Sequence, residues 1–324
     1  MVLGGGYGCA RFLEGLLYGI EHRVLPGVAQ SATVTVVVNT ADDLWIHGLR
    51  VCPDLDTIMY TLGDGIDPDR GWGRRHETWT VKEELAAYDA PAPWFGLGDR
   101  DIATHLVRSR LLRDGASLSE VTETLCRRWL PGVRLLPMTD DEVETHVLIE
   151  EPDGTREVHF QEYWVGLGAK PAIRDLLFQG MSQARPGPSV IDAIAAADLV
   201  LFAPSNPIVS IGTILSVSGV AQAVQDTSAL VVGLSPIVGG SHVRGMAEQL
   251  LGWAGVEVSA GGVGRHYGAR ARGGVLDGWL VDERDAAELP RLVDAGLVAE
   301  AVPLMMTGPG VTASMVRAGL ELFS

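Results

Sequence analysis

The sequence is poor in cysteine and has no long apolar run. Its 324 residues include three cysteines, Cys9, Cys52 and Cys126. Their odd count, without the spacing of zinc ligands, excludes a disulfide scaffold and indicates a reduced compartment. No apolar run approaches the roughly 18 residues of a membrane span, and residues 1–4 do not begin like a signal peptide. The sequence therefore predicts a cytoplasmic protein without a membrane partner.

Positive charge is also scarce. The chain has 25 Lys and Arg residues against 41 Asp and Glu residues, a formal net charge of −16. This balance argues against nucleic acid or an anionic membrane as a partner, although local arginines and a metal can still bind phosphate. The apolar share of 47% is ample for a core.

Short apolar segments alternate with helical ones. Residues 34–38 are β-branched without polar alternation, which predicts a strand buried on both faces. Further strands are predicted at residues 199–203, 230–234, 256–258, 279–281 and 301–306, with helices such as 243–253 and 286–297 between them. This alternation predicts an α/β protein with a Rossmann-like, doubly wound, mostly parallel sheet.

The middle of the chain follows another pattern. Helices are predicted at residues 56–62, 102–112 and 118–129, and a β-hairpin at 143–149 and 156–164. Residues 1–54 and 196–324 are therefore expected to form the Rossmann-like nucleotide-binding core. Residues 55–195 are expected to be an insertion of helices and a hairpin that completes an acceptor site.

Four carboxylates fall close to the end of the strand at residues 34–38. Asp42, Asp43, Asp54 and Asp56 lie at the edge of the sheet where open α/β proteins bind ligands. Carboxylates this close repel one another unless a cation compensates, and magnesium binds one or two carboxylates together with substrate phosphates. Asp43 and Asp54 are the preferred ligands, with Asp42 and Asp56 as alternates. A solvated acidic loop is the simpler interpretation.

A glycine-rich segment begins the chain. Gly5, Gly6 and Gly8 precede a predicted helix that contains Arg11, an arrangement that lets backbone amides approach a phosphate. A tight turn explains the glycines equally well. Neither the dinucleotide fingerprint nor a P-loop fits the spacing, which disfavours a nicotinamide dehydrogenase.

Polar residues follow two of the later strands. Ser205 and Asn206 end the strand at 199–203, with Ser210 shortly after, and Ser235 ends the strand at 230–234. These residues, with Asn39, could hold a diphosphate or a ribose, although a helix-capping role alone is common for such loops.

The predicted insertion carries a charged helix and several tryptophans. Asp101, His105 and Arg108 share one helix face, which is most often simply solvated. Trp72, Trp79 and Trp94 either stack on a planar ring or anchor the insertion.

Seven segments, in this order, resemble the 2-phospho-L-lactate transferase family, and together they cover nearly the whole chain. They are NTADDLW at 39–45, PDLDT at 53–57, GDRDIATH at 98–105, RDGAS at 113–117, LPMTDD at 136–141, FQ at 160–161 and PSNPI at 204–208. The match is greatest with the actinobacterial branch, which uses phosphoenolpyruvate. The residues alone leave phosphoenolpyruvate and phospholactate open as donors.

This resemblance implies a reaction and its participants. Such proteins join a guanosine-diphosphate-activated acid to the hydroxyl of the deazaflavin Fo, release GMP, and act in coenzyme F-420 biosynthesis. The resemblance implies a magnesium-dependent homodimer. Some archaeal relatives have a Lys at the position of Gly96, so this contact with the deazaflavin must come from elsewhere here.

The resemblance also implies roles for the residues already named. Catalytic roles are expected for Asp43, Asp54 and Asp56, and magnesium binding for Asp42, Asp43 and Asp54. Deazaflavin contacts are expected from Asp56, Asp99, Arg100 and His105. The nucleotide is expected to contact Gly5, Gly6, Gly8, Arg11, Asn39, Ser205, Asn206, Ser210 and Ser235.

A non-catalytic nucleotide-sugar-binding regulator of the same fold is the alternative. Such regulators carry a Gly-Ser-rich run after the acidic pair, whereas this chain has LWIHG at 44–48. This difference favours the transferase.

Overall fold

The computed structural model describes residues 1–243 and 246–323. Its strands, in chain order, are β1 Val2–Gly4, β2 Thr35–Val38, β3 Leu44–Ile46, β4 Leu49–Val51, β5 Arg134–Pro137, β6 Glu144–Glu151, β7 Gly154–His159, β8 Ile173–Gln179, β9 Leu199–Phe202, β10 Leu230–Leu234, β11 Ile237–Val238, β12 Ser241–His242, β13 Gly278–Val281 and β14 Val298–Ala301.

The helices are α1 Gly6–Glu21, α2 Pro53–Leu62, α3 Thr80–Ala87, α4 Asp99–Arg113, α5 Leu118–Trp129, α6 Val190–Ala195, α7 Thr213–Ser216, α8 Val220–Asp226, α9 Ala247–Trp253, α10 Ala260–Tyr267, α11 Leu289–Asp294 and α12 Pro309–Glu321. Two π-helical turns lie at Glu162–Gly166 and Pro207–Gly212. Within the described residues, no single helix is long and apolar enough to cross a membrane. One helix pair bent by 85°, Pro207–Ser216 with Val220–Asp226, has the length and composition of a membrane span, and this likeness rests on length and composition alone.

Seven parallel strands form the central sheet, in the order β14-β13-β10-β9-β1-β2-β5 among the described residues. Chain order runs outward in both directions from the neighbours β1 and β9, which makes their carboxyl ends the topological switch point. Open α/β sheets bind ligands there. The expected Rossmann-like, doubly wound sheet is confirmed.

Each face of this sheet has its own apolar core. On one face, Phe12 of α1, Ile58 of α2 and Met315 of α12 pack against alternate residues of the strands. On the other face, α6, α8, α9 and α10 contribute a second buried cluster that includes Val224 and Leu250. Because both faces are covered, the inner strands β9, β10 and β13 are apolar throughout, which is why they could be recognised in the sequence.

The middle of the chain departs from the predicted insertion at 55–195. Arg134–Pro137, as β5, pairs with β2 and forms an edge of the central sheet. The predicted hairpin exists, but β8 joins it as a third antiparallel strand beside β6. Its second strand ends at His159 rather than at residue 164, because the chain enters a π-helical turn.

Three predicted elements of the last third also differ. Residues 256–258 are not a strand: the Val256 amide bonds back to the Leu251 carbonyl, and Ser259 caps α10 at once, which leaves no room for one. The helix predicted at 243–253 begins at Ala247, and its residues 244–245 lie outside the described residues. The strand predicted at 301–306 lies earlier, as β14.

Candidate active site

Two cavities lie at the carboxyl edge of the sheet. The first, of about 700 Å³, is lined by the loops that follow β1, β9 and β10, at the switch point. The second, of about 330 Å³, lies between α2, α4 and the loops around residues 72 and 96. We call them the first and the second cavity.

The glycine-rich loop forms one wall of the first cavity. Gly5, Gly6, Gly8 and Arg11 all line it. Gly6 has φ +66°, which favours glycine, and a Cβ on Gly5 would collide with Asp54. Among the described residues, no side chain caps the start of α1, and residues of its first turn line the cavity. A helix start of this kind binds phosphate through its backbone N–H groups and its dipole.

The predicted serines and the asparagine also line this cavity. Ser205, Asn206, Ser210 and Ser235 all border the first cavity. The Ser205 hydroxyl accepts from the Gly5 amide at 3.1 Å and donates to the Gly5 carbonyl at 3.0 Å, which joins the two loops across the switch point. Asn206 caps the following π-helical turn through the amides of residues 208 and 209.

Two buried carboxylates face the first cavity. Asp42 and Asp54 are 5% and 8% exposed and line it together. Burial raises the pKa of Asp54 to about 6, although its hydrogen bond from Asn39 acts to lower it. Burial and the charges of Asp54 and Asp43 raise the pKa of Asp42 well above its usual value. The two carboxylates therefore repel each other in a poorly hydrated place.

Asn39 supports this pair from behind. Its amide nitrogen donates to Asp54 Oδ2 at 3.0 Å, and its oxygen accepts from the Ala41 amide and the Thr213 hydroxyl. In the described structure Asn39 does not line the first cavity but lies behind Asp54, and its expected contact with the nucleotide stays a prediction.

Asp43 departs from its expected position among the metal ligands and catalytic residues. Its side chain is fully buried and lines neither cavity in the described structure, because the chain enters β3 directly after it and successive side chains face opposite ways. Arg50 Nη2 is 3.9 Å from Asp43 Oδ2. Burial raises the pKa of Asp43 to about 7, against the lowering effect of Arg50.

The second cavity contains a buried charged network. Asp56 is paired with Arg108, whose other terminal nitrogen is 3.0 Å from His105 Nδ1. His105 Nε2 is 3.3 Å from Asp101 Oδ2, and the Tyr60 hydroxyl donates to Asp101 Oδ1 at 2.6 Å. This helix face is therefore buried rather than solvated.

Asp56 Oδ2 makes no hydrogen bond within the described part of the chain. It is a buried atom 3.8 Å from His105 Nδ1, and both residues line the second cavity. An ionised carboxylate with a free oxygen can accept a hydrogen bond from a ligand hydroxyl.

Two other expected deazaflavin contacts lie elsewhere. Asp99 accepts from Thr78 and from the amides of residues 80 and 81, and so caps the start of α3. Arg100 is exposed, and in the described structure neither residue lines the second cavity. Both stand in the first turn of α4, one turn before His105, and face away from it.

Aromatic and glycine residues form the far wall of the second cavity. Trp72 and Gly96 line it, whereas Trp79 and Trp94 do not within the described residues. Lys82 Nζ lies 3.6 Å from the point where a Cβ on Gly96 would stand. This is ordinary contact distance, as are the 3.4 Å to Trp79 and the 3.5 Å to Trp72, so the cation of α3 lies beside position 96.

The two cavities meet at one place. The first turn of α2 separates them, with Asp54 on the side of the first cavity and Asp56 on the side of the second. Opposite this turn, Gln161 and Trp164 line both cavities. Sequence reasoning gave these two residues no role, because only the folded chain brings the π-helical turn to α2.

The carboxylates fit a magnesium ion in the first cavity. Among the described residues, no group of three or more His, Cys, Asp or Glu side chains is placed to hold a metal. Asp42 and Asp54 nevertheless offer two carboxylates in a shared cavity, and Asp42 Oδ1 lacks a hydrogen-bond partner in this part of the structure. Two carboxylates completed by substrate phosphates are the ligand set that magnesium commonly has.

Solved structures share this fold. Two crystal structures of a UPF0052 family protein from Bacillus halodurans superpose with a TM-score of 0.60. Their sequence identities are 16% and 15%, and the matches cover 100% and 97% of this chain and 98% and 97% of theirs. At these identities the likeness concerns the fold alone.

Sequence relatives are much more similar. Proteins named phosphoenolpyruvate transferase from Mycobacterium sp. (strain JLS) and Mycolicibacterium smegmatis are each 55% identical to this chain, and one from Streptomyces griseus is 54% identical. Each match covers 99% of this chain and 97% of the relative. The family model described as 2-phospho-L-lactate transferase CofD matches residues 1–299. The chain belongs to the 2-phospho-L-lactate transferase CofD family.

Proposed function

We propose that this transferase moves an enolpyruvyl-phosphate group from a guanosine-diphosphate-activated donor to the hydroxyl of the deazaflavin Fo and releases GMP, in coenzyme F-420 biosynthesis. The names of its relatives favour phosphoenolpyruvate over phospholactate as the acid. The observation that carries the proposal is the meeting of two cavities at the first turn of α2, with a carboxylate on each side.

The first cavity suits a nucleoside diphosphate. The start of α1 and the small residues around it can approach the phosphates closely, and Arg11, which is paired with Glu14, lies at the same wall. Magnesium held by Asp42 and Asp54 would neutralise charge on the diphosphate and on the departing GMP.

The second cavity suits the acceptor. Trp72 offers a flat apolar surface for a planar ring system, and Asp56 Oδ2 can accept a hydrogen bond from the ring's hydroxyl-bearing side chain. Asp54 and Asp56 lie on different sides of one helical turn, so the hydroxyl and the phosphorus would meet at the boundary of the cavities that Gln161 and Trp164 line.

The reaction then needs little movement. The acceptor oxygen attacks the phosphorus that carries the enolpyruvyl group, and the bond from that phosphorus to the GMP oxygen breaks. The proton of the hydroxyl passes to Asp56 Oδ2, a contribution typically of about 100- to 10,000-fold. Arg108 remains paired with Asp56 and holds it in position. In such phosphoryl transfers the protein acts chiefly by positioning and charge neutralisation.

One incubation tests this proposal. The protein is mixed with Fo and with either the enolpyruvyl or the phospholactyl guanosine-diphosphate donor, in magnesium or in EDTA, and products are identified by mass spectrometry. We expect the enolpyruvyl product and equimolar GMP in magnesium, and neither in EDTA. Absence of product from both donors in magnesium would reject the proposed reaction. The homodimer implied by the family resemblance stays a prediction.

A further inference from the structure

Gln161 stands where donor and acceptor would meet. Of the described residues, Gln161 and Trp164 are the two that border both cavities. They face the first turn of α2, where Asp54 and Asp56 point to opposite sides. The transferred phosphorus must pass from one cavity to the other at this boundary, so a group here is adjacent to it before and after transfer.

The backbone of Gln161 is held rigidly. Its amide donates to His159 Nδ1 at 3.0 Å, and the opposite ring nitrogen of His159 is 3.3 Å from the Asp43 carbonyl. Since Nδ1 accepts, Nε2 carries the proton and donates to that carbonyl. The imidazole therefore ties Gln161 to the acidic loop that contains Asp42.

The residues on either side of Gln161 are fixed as well. Phe160 is 5% exposed in the core, and Tyr163 is fully buried with its hydroxyl 3.0 Å from the Pro171 carbonyl. Gln161 itself begins the π-helical turn Glu162–Gly166. Such turns are rare and are frequent at functional sites.

The side-chain amide of Gln161, by contrast, has no hydrogen-bond partner among the described residues. Its backbone is bonded, but its amide group makes no hydrogen bond to any described residue, although it is only partly exposed. A primary amide supplies two N–H donors without adding charge. In the cavity that Asp54 and Asp42 also line, such donors complement the negative oxygens of a phosphoryl group, whereas another carboxylate would repel them.

We propose that the side-chain amide of Gln161 donates a hydrogen bond to a non-bridging oxygen of the transferred phosphoryl group, on the side opposite Asp54. Gln161 is thereby a catalytic residue that stabilises charge as the group crosses between the cavities. This inference rests on the proposed function. Fixed donors aimed at developing charge are worth about 100-fold or more in rate.

The test compares two substitutions with a matched control. Gln161→Met keeps the length of the side chain and removes both donors, and Gln161→Glu removes them and adds a negative charge. Gln183→Glu makes the same charge change at an exposed site outside both cavities. Turnover with the enolpyruvyl donor, KM for Fo, affinity for GMP and melting temperature are measured for each.

We expect kcat to fall about 100-fold in Gln161→Met and further in Gln161→Glu, with KM for Fo and the GMP affinity within about 3-fold of wild type. GMP is the informative ligand because it lacks the transferred phosphoryl group. Gln183→Glu should match wild type.

Two results would overturn the inference. One is a kcat within about 3-fold of wild type in both Gln161 variants. The other is a loss of GMP affinity or melting temperature that parallels the loss of kcat in both, since that pattern indicates a structural role. Failure of the proposed function is separate, because wild type itself would then yield no product.

Discussion

Asp54→Asn should make the protein more stable and leave it unable to use magnesium. Burial raises the pKa of Asp54 from 3.8 to about 6, so the folded state holds a proton that the unfolded chain has released. Stability therefore falls as pH rises from about 4 to about 6 and stays reduced above that. The shift of about two pKa units corresponds to as much as about 3 kcal/mol at pH 8.

The asparagine removes this cost while keeping the local contacts. The new amide oxygen can still accept the hydrogen bond that Asn39 donates to Asp54 Oδ2 at 3.0 Å. Loss of the charge also relieves Asp42, whose pKa Asp54 helps to raise. In EDTA at pH 8 we expect the variant to melt about 5 °C above wild type.

Binding of magnesium and GDP should reverse the order of the two melting temperatures. Magnesium with GDP at about 100 times its dissociation constant should stabilise wild type by about 2.7 kcal/mol, and it should stabilise the variant far less. Melting temperatures of wild type and Asp54→Asn are measured in EDTA and in magnesium with GDP. Asp153→Asn, in the exposed turn between β6 and β7, makes the same charge change and should alter neither melt.

Two outcomes would refute this reasoning. If the variant melts at or below the melting temperature of wild type in EDTA at pH 8, the buried charge of Asp54 does not destabilise the folded state. An equal rise in melting temperature for both proteins on addition of magnesium and GDP would show that Asp54 does not hold the ion.

Three further predictions concern the groups around the cavities. Arg108→Gln removes the salt-bridge partner of the buried Asp56 and should lower the free energy of unfolding, measured in urea, by about 3–5 kcal/mol. Adding Asp56→Asn to the same chain should restore most of this loss. Burial lowers the pKa of His159 from 6.5 to about 4, so protonation of this residue in the unfolded chain lowers the free energy of unfolding by up to about 3 kcal/mol as pH falls from 6.5 to 4. Asp54 acts in the opposite direction over this range, so urea titrations should show the effect as a difference, with His159→Gln gaining up to about 3 kcal/mol on wild type as pH falls. Ser205→Ala removes both hydrogen bonds to Gly5 and should lower the free energy of unfolding by about 1–3 kcal/mol and weaken GDP binding in calorimetry. Unchanged values of both quantities would exclude a role of Ser205 in shaping the first cavity.

The acidic cluster shows what the sequence can predict. Four aspartates after a buried strand indicated a ligand site at the edge of the sheet, and Asp42, Asp54 and Asp56 do line cavities there. The spacing could not assign each aspartate to a cavity, because the directions of the Asp42 and Asp43 side chains depend on how the chain turns into β3. The preference for Asp43 over Asp42 was therefore the weaker part of the prediction.

Long-range pairing explains the remaining differences. β5 joins the sheet through β2, about a hundred residues earlier in the chain, and its four residues carry no pattern that distinguishes a sheet edge from a loop. Gln161 reaches the boundary of the cavities only because the three-stranded sheet of β6, β7 and β8 sets the π-helical turn opposite α2. A single polar residue beside a short turn has no periodic signal of its own.

The charges around α2 differ between the two cavities. Asp56 is compensated within the protein, because Arg108 is paired with it. Asp42 and Asp54 form no salt bridge with any described residue, and Arg11, in the same cavity, is paired with Glu14. A diphosphate that carries magnesium, as in the proposed reaction, would supply a compensating positive charge to this pair. The neutral alcohol of the proposed acceptor would bring none, which suits the side of Asp56, where Arg108 already supplies it.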